Sequence, residues 1–72
     1  MIQATHHQIA TRLIDFALSE LIKYVMQDTN CDTEKAMEIV YNSPITSALQ
    51  DEESELYVQS PAYIYELMNN AS

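Results

Sequence analysis

The chain has no glycine in 72 residues, a single cysteine (Cys31), and only three basic side chains, Arg12, Lys23 and Lys35. Each shortage excludes something. Phosphate loops and dinucleotide turns use glycine so that backbone amides can approach the ligand closely. The nucleophile elbow of hydrolases needs it as well. None of these motifs is present. Tight hairpin turns lose the residue that best tolerates positive φ, which disfavours β meanders. One cysteine permits no disulfide within the chain, and such usage suits a reducing, cytoplasmic setting.

Three basic residues stand against eleven acidic ones, a net charge of −8. So few cations argue against direct nucleic-acid binding, which neutralises phosphates with Lys and Arg. No basic side chain follows Lys35, whereas Asp51, Glu52, Glu53 and Glu55 form a dense acidic cluster. The natural partner of such a surface is basic, a protein or a cation. The longest apolar-rich stretch, residues 9–26, is interrupted by Arg12, Asp15, Glu20 and Lys23. No membrane-spanning helix is therefore expected. The N-terminus lacks a basic region followed by an apolar run, so no signal peptide is expected either.

What is present points to helices. Hydrophobic residues make up 47% of the chain, enough for one small globular domain and too much for a disordered acidic tail. A domain of this size buries roughly 60% of the surface of its unfolded chain, which makes a lone core marginal. At 100° per residue, Ala10, Leu13, Ile14, Ala17, Leu18, Leu21, Tyr24 and Val25 share one broad arc of a helix from about Thr5 to Asp28. Ile9 and Phe16 lie outside that arc on one flank, Ile22 and Met26 on the other. Either the remaining helices cover both flanks, or one flank is a surface for a partner or a second copy. Asn30 and Asn42 sit where glycine usually ends a helix. Asp32 caps a second helix, Thr33 to about Tyr41, with Ala36, Met37, Ile39 and Val40 inward. Ser43-Pro44 and Ser60-Pro61 both read as helix starts, serine capping and proline at the first helical position. The third helix would bury Ile45, Ala48 and Leu49, and the last Ile64, Leu67 and Met68. Between them, residues 52–59 read as a loop with a turn of helix. The expected fold is all-α, a small bundle of three to four helices with a long N-terminal helix.

Constellations that carry chemistry are thin. Asp28-x-Asn30-x-Asp32 opens like an EF-hand loop, but Thr33 stands at the glycine position and Ile39 at the bidentate glutamate. His6 and His7 are adjacent and point about 100° apart on a helix, so they do not chelate one ion together. Cys31 is near a helix start, yet Asp28, Asp32 and Glu34 surround it and no histidine is close, so it reads as a passive thiol. Tyr63 and Tyr65 lie about 200° apart on a helix, so at most one faces the core. With Tyr57 they form a tyrosine-rich C-terminal region of the kind enriched at interfaces.

The stretch Leu56-Tyr57-x-x-Ser60-Pro61-x-Tyr63-Ile64-Tyr65-Glu66-Leu67 resembles the C-terminal signature of a group of short, uncharacterised bacterial all-helical proteins. In that group a long helix is followed by a Tyr-Asn/His-Ser step and an acidic loop. Tyr41-Asn42-Ser43 and residues 51–55 stand in the same order here, and the similarity spans roughly residues 14–68. Members commonly carry Thr-Gly where this chain has Ser54-Glu55. The group resembles antitoxin-like accessory proteins of bacterial toxin cassettes, and its motifs are caps and packing tyrosines.

The leading expectation is a non-enzymatic protein-interaction module, antitoxin-like, that occludes a basic protein partner. Asp51, Glu52, Glu53 and Glu55 would steer the encounter, with Leu56, Tyr57, Tyr63 and Tyr65 as anchors. The alternative is a self-associating structural module, a homo-oligomer built on Ile9 and Phe16 or on Ile22 and Met26. A third reading, a nucleic-acid mimic, requires carboxylates in two rows at phosphate-like spacing. No acid–base pair, metal set or activated nucleophile is recognisable, so neither enzymatic activity nor a cofactor is expected.

Overall fold

The computed structural model describes the backbone of residues 6–70 and the side chains of residues 8–70. Four helices form: α1, His6–Thr29; α2, Thr33–Tyr41; α3, Pro44–Gln50; and α4, Pro61–Asn70. Two single 3-10 turns, Glu52–Ser54 and Leu56–Val58, join α3 to α4, and there is no strand among the described residues. The expected all-α bundle with a long first helix is the fold observed.

Local chemistry sets the limits of each helix. Asn30 ends α1 with φ 53°, the left-handed conformation that glycine would otherwise supply. The Asp32 carboxylate accepts from the Lys35 amide at 2.9 Å and caps α2. Ser43 Oγ accepts from the Ile45 amide at 3.3 Å, ahead of Pro44 in the first turn of α3. Ser60 Oγ accepts from the Tyr63 amide at 3.2 Å and repeats the device for α4. Asn42 differs from expectation. Its φ is −90°, and its amide donates to the Glu38 carbonyl, so α2 closes by ordinary helical bonds without a left-handed residue.

The core is one cluster. Ala10, Ile14, Ala17, Leu18, Leu21 and Val25 supply the buried face of α1, against Ala36 and Val40 of α2, Leu49 of α3, and Ile64 and Met68 of α4. Tyr57, in the second 3-10 turn, completes it. Seven residues expected inward are not fully buried: Leu13 and Met37 are exposed, and Tyr24, Ile39, Ile45, Ala48 and Leu67 are half-buried. Ile39 and Ile45 still pack against the core, and Tyr24 packs against Tyr65 of α4.

Thr46 is the buried polar residue of this core. Its hydroxyl donates to the Val40 carbonyl at the end of α2, a carbonyl that also accepts from the Ser43 amide at 3.1 Å. The hydroxyl thus ties α3 back onto α2 across the sharp Asn42–Ser43 turn. Replacing it with the isosteric Thr46→Val leaves packing intact and removes one bond of about 1 kcal/mol. The urea midpoint should fall by the corresponding amount with an unchanged slope. A midpoint equal to that of the wild type would show that the Ser43 amide alone satisfies Val40.

Candidate functional site

The acidic segment is a braced turn. Asp51 ends α3, and its carboxylate accepts from the Glu53 amide at 3.1 Å, opening the first 3-10 turn. Ser54 Oγ donates to the Ala48 carbonyl at 2.6 Å, sits 2.8 Å from the Asp51 carbonyl, and accepts from the Leu56 amide at 3.2 Å. One hydroxyl therefore joins α3 to both 3-10 turns. Glu55 lies between those turns with φ 54°, left-handed. Nothing in a glutamate signals that conformation. Asp51, Glu53 and Glu55 are exposed, and Glu52 is half-buried. The four acidic residues follow one another from the end of α3 through the first 3-10 turn to Glu55.

The anchors expected beside the acidic cluster separate. Tyr57 is only 4% exposed and belongs to the core. Leu56 is half-buried and packs against that core. Together they pin the acidic turn from below. Tyr63 is 46% exposed, and Val58, which sequence reasoning missed, is 58% exposed. Tyr65 is half-buried and faces α1. Its ring packs on Tyr24 with centroids 5.1 Å apart, and its hydroxyl donates to Asp28. Burial first, and then the Asp28 carboxylate, push the Tyr65 hydroxyl above its ordinary pKa, because both disfavour the phenolate. Asp28 lies in the last turn of α1, where the helix dipole repels a carboxylate, and the tyrosine hydroxyl offsets this.

The two flanks of α1 also have different fates. Ile22 and Met26 are half-buried and pack against the core. Ile9 and Phe16 stay exposed, at 47% and 57%, and Leu13 joins them at 37%. These three lie at i, i+4 and i+7, which is one continuous stripe along the first half of the helix.

The remaining candidates carry little chemistry. A cleft of about 290 Å³ lies between the α2–α3 turn and α4, lined by Ile39, Asn42, Ser43, Pro44, Met68 and Asn69, with no titratable side chain in its wall. Cys31 is half-buried, with Thr29 Oγ1 3.0 Å from its sulfur. Asp28 and Asp32 are engaged by Tyr65 and by the α2 cap, the roles of an ordinary interhelical connection. The side chains of His6 and His7 lie outside the described residues. Among the described residues no three His, Cys, Asp or Glu side chains converge to hold a metal ion. No described helix is long and apolar enough to cross a membrane.

Glu55→Gly should stabilise the chain by about 0.5–1 kcal/mol, since glycine escapes the left-handed cost but has more freedom to lose on folding. Glu55→Gln, which relieves only the charge repulsion, should recover less. Equal urea midpoints for the two variants would trace the effect to charge alone. A second outcome concerns alkali. The unfolded tyrosine releases its proton first as pH rises, so the raised pKa of Tyr65 supports the fold fully below about pH 10. That support is lost as pH rises through the folded-state value. Tyr65→Phe should lower the urea midpoint near pH 8 and show a smaller further fall by about pH 11 than the wild type does. Parallel losses in both proteins would remove Tyr65 as the responsible group.

No family model matches the chain, and neither a curated protein nor a solved structure matches it.

Proposed function

We propose that this chain is a non-catalytic protein-interaction module of the bacterial cytoplasm that binds and occludes a basic protein partner through its acidic turn. The observation that carries this reading is the partition of charge. In residues 1–27, Arg12 and Lys23 balance Asp15 and Glu20. In residues 28–72, Lys35 alone faces nine carboxylates, so the whole −8 resides there. The lysines are engaged elsewhere: Lys23 pairs with Glu20 at 3.1 Å and Lys35 with Glu38 at 3.8 Å. Neither of these two pairs involves Asp51, Glu53 or Glu55.

The physical roles follow from geometry. The exposed carboxylates of Asp51, Glu53 and Glu55 raise the rate of encounter with a cation-rich surface and make it salt-dependent. Because Ser54, the half-buried Leu56 and the buried Tyr57 already order the turn, binding loses little backbone entropy there. Tyr63 and Val58, exposed just beyond the turn in sequence, offer the apolar contact that charge alone does not provide. The resemblance of the C-terminal segment to antitoxin-like accessory proteins agrees with this role.

Affinity capture from native lysate at low salt tests the reading. The wild-type chain should retain one basic protein stoichiometrically and release it as salt rises. A variant carrying Glu52→Gln, Glu53→Gln and Glu55→Gln should lose that protein, and Tyr63→Ala should weaken its retention. Capture of no stoichiometric partner, or of one indifferent to the triple substitution, overturns it.

A further inference from the structure

The exposed stripe on α1 is not accounted for by the acidic turn. It falls in the part of the chain whose charges cancel, and its neighbours are arranged by sign. Arg12, Phe16 and Glu20 lie at i, i+4 and i+8, so they occupy one 80° arc of the helix with the aromatic ring in the middle. Arg12 is exposed and has no ion-pair partner among the described residues, while Glu20 is half-buried and already holds Lys23 of its own helix at 3.1 Å, a carboxylate that a second cation can share. A cation on one side of an apolar centre and an anion at equal distance on the other form a self-complementary pattern.

From this arrangement we propose that a second copy of the same chain covers the stripe, with the two α1 helices antiparallel about a two-fold axis passing beside Phe16. That axis sets Phe16 against Phe16 and brings Arg12 of each copy level with Glu20 of the other, giving two equivalent cross-helix ion pairs. In this register Leu13 comes level with Ser19 and Ile9 with Lys23 of the other copy, so Ile9 is covered by the aliphatic stem of that lysine. An isologous interface of this kind closes after two copies. It also places the neutral parts of two −8 chains together and leaves the acidic turns outside the contact, a lower electrostatic cost than pairing through α2–α4. The pairing is independent of the partner-binding role assigned to the acidic turn.

Sedimentation equilibrium on the full chain, from about one to a few hundred micromolar, should show a monomer–dimer equilibrium. Phe16→Asp should weaken it at least about tenfold. Since Phe16 is 57% exposed, helical content and the unfolding midpoint of that variant should stay close to wild type. The ion pairs give a sharper readout. Arg12→Glu alone and Glu20→Arg alone should each remain monomeric, the first facing Glu with Glu and the second Arg with Arg. An equimolar mixture of the two restores both pairs and should form a heterodimer. The triple glutamine variant of the acidic turn should dimerise at least as tightly as wild type, which separates this interface from the partner site. A wild-type chain monomeric throughout, a dimer insensitive to Phe16→Asp, or a charge-reversed mixture that stays monomeric each overturns the pairing.

Discussion

Everything in this small fold is arranged around the burial of one face of α1. At about 1.5 Å per residue its 24 residues extend roughly 36 Å, most of the molecule's 44 Å length. The elements available to cover it are far shorter: nine residues in α2, seven in α3 and ten in α4. None reaches beyond about 15 Å, so they tile one side of α1 in succession and leave the other side wet. The sealed face runs from Ala10 to Val25. The exposed one retains Ile9, Leu13 and Phe16.

Tiling a long helix with short ones multiplies helix ends, and each end leaves backbone groups to satisfy. Side-chain hydroxyls and carboxylates carry out most of that work here. Asp32, Ser43 and Ser60 cap helix starts; Thr46 closes the end of α2; Ser54 bridges α3 to the acidic turn. Among the described residues no buried side-chain nitrogen or oxygen is left without a partner. Two reversals still demand positive φ, and with no glycine in the chain they fall on Asn30 and Glu55. Asn tolerates that conformation well; glutamate does not. The turn with the densest negative charge thus also carries the least favourable backbone.

Much of this was legible from the residues. Helix limits came from Asp32, Ser43-Pro44 and Ser60-Pro61, because capping is a local interaction between a side chain and amides two or three positions away. The buried face of α1 came from periodicity, which is local too. The margins of each face were not legible. Leu13 and Tyr24 fall within the same arc as Ile14 and Leu21, and only the reach of the opposing helices separates exposed from buried. Tyr57 belonged by composition with Tyr63 and Tyr65, yet the three have different roles: core, surface, and a tie to Asp28 across 37 positions. The left-handed Glu55 carried no signal, since a glutamate at that position reflects what Ser54, Leu56 and Tyr57 impose around it.

The sequence by itself determined the fold class, the helix boundaries and the sign and distribution of charge, because each depends on residue type and on neighbours within one or two turns. Tertiary structure decided which apolar residues remain outside, which tyrosine is buried, and that the acidic segment is a braced turn. Those outcomes depend on the lengths of helices that meet only after folding, and no spacing along a single strand of residues encodes where one short helix stops covering another.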